Sequence, residues 1–117
     1  MGVEKIVHEE GQGDAVQKGQ TVTIAYTGWE RAKGTSENVW EKGSKFDSSV
    51  DRNQDFVVPV GVGRLIKGWD EGIVGMKPGE KATLHITHDY AYGPRGIPGV
   101  IGEEADLIFD VSLKSFK

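Results

Sequence analysis

Hydrophobic and polar residues alternate along three segments of the chain. In residues 21–27, valine, isoleucine and tyrosine at every second position share one face, and threonine and alanine occupy the other. The same alternation recurs over residues 81–87 and 107–114. A period of two residues is typical of an antiparallel strand with one buried face. The pattern therefore predicts three strands of an antiparallel sheet.

Two shorter segments rich in β-branched residues, 3–8 and 56–60, are further strand candidates. The second contains Pro59, which has no backbone N–H to donate to a neighbouring strand. Proline is found in sheets mainly at edges and bulges, so this strand is expected at an edge or a bulge rather than in a central position.

A single segment has helical spacing, with apolar residues one, three or four positions apart: Leu65, Ile66, Trp69, Ile73 and Met76. The sequence Lys77-Pro78-Gly79 follows it, and this combination of a cation, a proline and a glycine is a helix stop signal. One helix and several half-buried strands favour an α+β fold, in which an antiparallel β-sheet curls around one short α-helix.

Two long segments, residues 30–45 and 90–104, match neither period. Loops of this length are uncommon unless they are functional or mobile. The first is polar, with Trp40 alone among charged residues, and we predict a mobile loop insertion at about residues 30–44. The second is apolar and aromatic, and it is the better candidate for a binding surface.

Length and composition narrow the class of protein. A chain of 117 residues fits a single domain over residues 1–117, and 17 glycines favour many turns over long helices. A net charge of −4 makes nucleic acid and anionic membranes improbable partners. The chain has no cysteine, no apolar run long enough to span a membrane and no apolar signal core near Met1, so a cytoplasmic location is expected.

The residue spacing of this chain does not match the common cofactor-binding and metal-binding motifs. The glycines at 61, 63 and 68 precede a helical segment, but Ile66 stands where a dinucleotide fingerprint needs glycine, and Trp69 follows Gly68 where a phosphate-binding loop needs lysine. His85 and His88 are three residues apart, and such spacing on a strand directs the side chains to opposite faces. We therefore predict no cofactor and no metal.

Aromatic residues concentrate near turns and loops. Core packing accounts for most aromatic side chains, but Tyr26 and Tyr92 each carry a hydroxyl that needs a partner when buried. Asp47 directly follows Phe46, which places a carboxylate beside an apolar surface. An aromatic pocket with few polar groups is typical of a site for an apolar ligand.

Six motifs, in order and at matching spacing over nearly the whole chain, carry a family resemblance: Tyr26-Thr27-Gly28, Lys45-Phe46-Asp47-Ser48-Ser49, Asp51-Arg52-Asn53, Ile66-Lys67-Gly68-Trp69-Asp70-Glu71-Gly72, Tyr90-Ala91-Tyr92-Gly93 and Leu107-Ile108-Phe109-Asp110-Val111. With them the sequence resembles the FKBP-type peptidyl-prolyl cis-trans isomerases, or rotamases. The resemblance implies an immunophilin that acts in protein folding, catalyses rotation about Xaa-Pro bonds in proline-containing peptide segments and binds tacrolimus- or rapamycin-type macrolides. It also implies a monomer that binds calcineurin or the TOR kinase when it is in complex with the drug.

The resemblance further implies a pocket whose ligand-binding residues are Tyr26, Phe46, Asp47, Arg52, Phe56, Leu65, Ile66, Trp69, Tyr92, Ile97, Val100, Ile101 and Phe109. Trp69 is expected at the floor, and the residues expected to take part in catalysis are Tyr26, Asp47, Ile66, Trp69 and Tyr92.

The sequence departs from the family pattern at four places. The turn between Gly28 and Lys45 is longer than the usual hairpin, and Arg64 stands where an acidic residue is common. Gly102-Glu103 replaces a frequent proline pair, and Ile97 occupies a position that is often aromatic or histidine. These departures bear on ligand preference and partner contacts.

Two alternatives stay open at this point. The same pocket would serve a ligand-presenting or partner-binding immunophilin module whose isomerase activity is incidental. A structural domain with a filled aromatic core and no open cavity would also account for the pattern.

Overall fold

The computed structural model describes residues 2–34, 36 and 38–117. Thr35 and Glu37, which belong to the predicted insertion, lie outside the described residues, as does Met1. The described residues form six strands, β1 to β6, and one short α-helix, α1. In chain order these are Val3–Glu9, Thr21–Arg31, Lys42–Ser48, Phe56–Pro59, then α1 at Lys67–Gly72, then Lys81–Ile86 and Leu107–Phe116. A 3₁₀ turn, His88–Tyr90, follows β5.

All strand pairs are antiparallel, in the order β1-β5-β6-β2-β3. The long strand β2 pairs with β6 along one edge. Along its other edge it pairs first with β4 and then with β3. The five strands predicted from the sequence are confirmed, and Pro59 lies in β4, which pairs with β2 alone among the described strands. The α+β fold predicted from the pattern is therefore confirmed.

The predicted loop at residues 30–44 is wrong at both ends. Strand β2 continues to Arg31, and β3 begins at Lys42. Most of β3 is exposed and polar, so it has no buried alternating face for the sequence pattern to show. Trp40 is not isolated: its ring stacks on His85 of β5 with centroids 4.6 Å apart, and the Arg31 guanidinium lies over it at 4.1 Å.

The helix is shorter than the predicted apolar segment. Ile66 precedes it, and its carbonyl accepts the N–H groups of Trp69 and Asp70 at 3.0 and 3.1 Å. Beyond α1, Gly75 has a φ of +97°, a conformation that glycine adopts easily and that ends helical geometry. Ile73 and Met76 are nevertheless fully buried. The apolar spacing therefore predicted burial correctly and helix length incorrectly.

Two glycines bring α1 close to the sheet. A Cβ at Gly68 would lie 2.5 Å from Ile86 Cγ2, and one at Gly72 would lie 3.0 Å from the Leu84 methyl carbons. Ile86 and Leu84 are fully buried in β5, so the helix rests directly on this strand. This contact determines how deep Trp69, the residue after Gly68, sits in the core.

We expect Gly68→Ala to destabilise the fold by about 1–3 kcal/mol, because the buried Ile86 has no space into which it can move. The gain in helix propensity, about 1 kcal/mol, offsets part of this loss. Gly72→Ala is the matched control and should cost less, because its Cβ would lie no closer than 3.0 Å to the Leu84 methyl carbons and 3.3 Å to Val3 Cγ2. Urea unfolding of the two variants measures both effects. An equal or reversed order would contradict this packing argument.

Candidate active site

An open cavity of about 430 Å³ is bordered by α1, the segment before it and the strands β2, β3 and β6. Its lining residues are Tyr26, Phe46, Asp47, Phe56, Arg64, Leu65, Ile66, Trp69, Tyr92 and Phe109. The structure thus brings together most of the residues that the family resemblance implied. The alternative of a filled aromatic core without a cavity is wrong.

Aromatic rings packed at steep angles form the base of the cavity. Trp69 is only 5% exposed, and its ring lies 4.9 Å from that of Tyr26 and 5.0 Å from that of Phe109, at interplanar angles of 80° and 77°. Phe56 contacts both Tyr26 and Trp69, and Phe46 meets Phe109 edge-on. Such edge-to-face contacts are the favoured geometry for aromatic pairs, so the rings hold one another in place.

Gly28 in β2 makes this ring cluster possible. A Cβ at this position would lie 2.5 Å from Phe109 Cε1 and 2.9 Å from Phe46 Cζ. Both contacts are too short for any side chain, so only glycine allows the two phenylalanine rings to meet over β2.

Tyr26, Asp47 and Arg52 form a hydrogen-bonded group at the cavity. The Tyr26 hydroxyl donates to Asp47 Oδ2 at 2.5 Å, and the Arg52 guanidinium donates to Asp47 Oδ1 and, at 3.2 Å, to the Tyr26 hydroxyl oxygen. Burial alone would raise the pKa of Asp47, but the hydrogen bonds from Tyr26 and Arg52 lower it below its usual value. Burial and the bond to Asp47 raise the pKa of Tyr26. At neutral pH the group therefore holds a carboxylate and a neutral phenol.

Ser49 positions Tyr26 where the partner strand of β2 is interrupted between β3 and β4. The Tyr26 N–H donates to Ser49 Oγ at 2.8 Å, and the Ser49 N–H donates to the Tyr26 carbonyl at 2.9 Å. Ser48 and Ser49 are almost fully buried. The Ser49 hydroxyl thus bonds to the backbone of β2, while the Ser48 hydroxyl bonds to the Thr27 hydroxyl at 2.9 Å and accepts the Asp51 N–H at 3.1 Å.

Two donors that line the cavity have no partner among the described residues. The Tyr92 hydroxyl makes no hydrogen bond with them, and neither does the backbone N–H of Ile66. Burial, and secondarily the charge of Asp47, raises the pKa of Tyr92, so its hydroxyl stays protonated at neutral pH. Both donors are available to a ligand carbonyl.

Four residues implied by the resemblance do not line the cavity: Arg52, Ile97, Val100 and Ile101. Arg52 instead donates hydrogen bonds to Asp47 and to the Tyr26 hydroxyl. In the loop before β6, the Ile97 N–H donates to the Ile101 carbonyl at 2.8 Å, Ile101 is buried and Val100 is exposed. Ligand contact by these residues stays a prediction.

The base of this loop is linked to β2 through a departure from the family pattern. The Gly102 N–H donates to Glu30 Oε1 at 3.0 Å. A proline at position 102 would have no N–H to give, so this link depends on the glycine found here. It holds the end of the segment 97–101 against the strand that carries Tyr26.

Arg64 lines the cavity although it was not among the implied ligand-binding residues. The sequence showed it only as a departure from a commonly acidic position. Its place directly before Leu65 and Ile66, both of which were implied, is the signal that would have identified it.

No three histidine or acidic side chains within the described ranges are grouped so as to bind a metal ion. The described residues also contain no helix of the length and apolar character needed to cross a membrane. The acidic residue of the cavity lining, Asp47, already accepts hydrogen bonds from Tyr26 and Arg52.

Comparison with known proteins identifies the family of the chain. The family profile of the FKBP-type peptidyl-prolyl cis-trans isomerases matches residues 13–114. The chain belongs to this family, and it is a peptidyl-prolyl cis-trans isomerase.

Individual relatives are similar over nearly their whole lengths. FK506-binding protein 1 of Gibberella zeae is 57% identical, with 97% of each chain covered. FK506-binding protein 1B of Neurospora crassa is 54% identical, with both chains fully covered. A peptidyl-prolyl cis-trans isomerase of Schizosaccharomyces pombe is 53% identical, covering 97% of this chain and 93% of the relative.

Proposed function

We propose that the cavity over Trp69 is the place where this isomerase rotates Xaa-Pro bonds, and that FK506-type (tacrolimus) and rapamycin-type macrolides bind in the same place. The residues proposed to take part in catalysis are Tyr26, Asp47, Ile66, Trp69 and Tyr92. The observation that carries the proposal is an open cavity floored by a buried tryptophan and lined by free hydrogen-bond donors.

The chemistry of the bond explains why such a cavity suffices. Amide resonance gives the C–N bond partial double-bond character and creates the barrier to rotation. An Xaa-Pro bond populates both isomers, but they exchange in tens to hundreds of seconds. A twisted amide loses this resonance and is less polar, so an apolar site disfavours the planar ground state more than the twisted one. No covalent intermediate is needed, and each tenfold in rate takes about 1.4 kcal/mol.

The described side chains divide this task. The flat ring of Trp69 supports the proline ring, and the surrounding phenylalanine and tyrosine rings exclude water. The Tyr92 hydroxyl and the Ile66 N–H hold the substrate carbonyls, since both donors are free. Asp47 faces the rotating amide with its position set by Tyr26 and Arg52.

Macrolide binding follows from the same features together with the names of the relatives. Two of these relatives are called FK506-binding proteins. A mainly apolar ligand with several carbonyl groups matches aromatic walls that carry few donors. The exposed Val100, in the loop before β6, would then lie on the surface that a drug complex presents to calcineurin or the TOR kinase.

We propose a monomeric cytoplasmic protein that acts in protein folding; the absence of cysteine fits a reducing compartment. Sedimentation tests whether the protein is a monomer, and cell fractionation tests whether it is cytoplasmic.

A module that mainly presents ligands would use the same cavity. This alternative function would be favoured if a catalytically inactive variant that binds tacrolimus kept the protein's cellular role.

An exchange assay on an Xaa-Pro peptide tests the proposed site. We expect tacrolimus to inhibit competitively, because substrate and drug share the cavity. A chelator should leave the rate unchanged, because Asp47 is already engaged by Tyr26 and Arg52. Non-competitive inhibition would place the drug elsewhere. Loss of activity on chelation, restored by a divalent ion, would show that the proposed metal-free mechanism is wrong.

A further inference from the structure

The cavity lining contains two charged side chains, and only one of them is neutralised within the described part of the chain. Asp47 is paired with Arg52. Arg64 is exposed, and it makes no ion pair or hydrogen bond with the described residues. The cavity lining therefore carries a cation that no described residue compensates.

The backbone that carries Arg64 is held to the same helix as the cavity floor. Asp70 of α1 accepts the N–H groups of Gly61 and Gly63 at 2.8 and 3.0 Å. Both glycines have positive φ, +74° and +80°, which this tight turn requires. Since Asp70 is next to Trp69, these bonds tie the backbone directly before Arg64 to the helix that carries the floor.

We propose that Arg64 is a specificity-determining residue that selects proline-containing segments with a carboxylate side chain beside the proline. This inference rests on the proposed function, because it requires the Xaa-Pro bond to occupy the cavity. A guanidinium binds a carboxylate through two parallel hydrogen bonds, which gives it a geometric preference beyond charge alone.

The exposure of Arg64 to water sets the expected size of the preference for a carboxylate. Arg64 remains accessible to water, and an exposed ion pair of this kind changes binding by about three- to fivefold. The chain as a whole carries a net charge of −4, which repels acidic peptides at long range. A preference for acidic peptides must therefore come from a local contact, and salt should weaken it.

The test uses three peptides that are identical except for glutamate, glutamine or lysine next to the Xaa-Pro bond. For the unmodified chain we expect the glutamate peptide to exceed the glutamine peptide by about three- to fivefold in kcat/KM, mainly through KM, at low salt. Arg64→Gln should abolish this ratio, and Arg64→Glu should reverse it in favour of lysine. High salt should reduce the ratio in the unmodified chain.

Lys33→Glu is the matched control, because Lys33 is exposed, lies outside the cavity lining and gives the same change in net charge. It should keep the unmodified ratio. A ratio near one in the unmodified chain, or a ratio that survives in Arg64→Glu, overturns the inference. The assignment to carboxylates is overturned if a phosphoserine peptide is favoured while the glutamate peptide has no advantage over the glutamine peptide. Competitive inhibition of the turnover of the glutamine peptide by tacrolimus tests the proposed function separately.

Discussion

Replacing Trp69 by leucine is expected to lower kcat/KM for an Xaa-Pro peptide by roughly tenfold or more, about 1.4 kcal/mol or more of transition-state stabilisation. Leucine keeps the floor apolar but removes the flat surface on which the proline ring is proposed to rest. It also removes the edge-to-face contacts that Trp69 makes with Tyr26 and Phe109 at about 5 Å. Tacrolimus affinity should fall in parallel, because the drug is proposed to bind on the same floor.

The leucine variant should still fold. Trp69 Nε1 is buried without a hydrogen-bond partner among the described residues, so the substitution breaks no buried hydrogen bond there. The loss of packing volume should cost about 1–3 kcal/mol, less than truncation to alanine. Urea unfolding measures this cost, and a peptide assay on the same preparation measures catalysis.

Trp40→Leu is the control for this variant. Trp40 stacks on His85 and does not line the cavity, so its replacement should leave kcat/KM unchanged. In the unmodified chain, tacrolimus should change the tryptophan fluorescence, and this change should disappear in Trp69→Leu but persist in Trp40→Leu. Wild-type catalysis in the Trp69→Leu variant would mean that the functional pocket lies elsewhere.

The sequence predicted strands wherever one face of the sheet is buried. In β2 the alternation of side chains matches the alternation of burial, because one face of this strand covers the core. The predicted apolar faces of β5 and β6 are also buried, although Thr83 and Ile108 on their opposite faces are buried as well. Strand β3 escaped prediction because its first four residues are exposed and its pairing with β2 depends on backbone hydrogen bonds. Backbone pairing leaves no periodic mark on side chains when neither face is buried.

The length of the helix was mispredicted for a related reason. Ile73 and Met76 lie at helical spacing because they enter the same core, not because the chain is still helical there. Gly75, with its positive φ, diverts the backbone after α1 while these side chains remain buried. Periodicity reports which side chains are buried, and it does not distinguish the last turn of a helix from a compact turn that follows it.

The motifs likewise indicated some features of the site, while other features are visible only in the tertiary structure. The resemblance implied the aromatic lining because its motifs contain those residues. That Arg52 meets Asp47 and Tyr26, instead of lining the cavity, depends on the turn between β3 and β4. That Arg64 has no counter-charge among the described residues depends on every element that surrounds it, and no local pattern contains that information.

Asp47→Val should lower kcat/KM by roughly tenfold while changing the free energy of unfolding by no more than about 1 kcal/mol. The substitution removes the acceptor of both the Tyr26 hydroxyl and the Arg52 guanidinium, so the wall that is proposed to face the substrate loses its fixed geometry. Stability should change little because the Asp47 and Arg52 side chains are 39% and 49% exposed, and solvent screens such a pair. Wild-type catalysis in Asp47→Val would remove this residue from the proposed site.

Asp47→Asn and the pH profile separate the charge of this carboxylate from its hydrogen bond. The amide oxygen still accepts the Tyr26 hydroxyl, so recovery of most of the activity would assign the effect to geometry, and failure to recover would assign it to charge. The pKa of Asp47 is lower in the folded state than in the unfolded chain, where it is near 4. The contribution of the Asp47 carboxylate to stability is therefore complete above the unfolded-state pKa and is lost as the pH falls through the folded-state pKa. The raised pKa of Tyr26 keeps its hydroxyl protonated until above about pH 10. The kcat/KM of the unmodified chain should therefore be flat from about pH 5 to 9, and an inflection near pH 6.5 would show that a histidine, not this pair, governs catalysis.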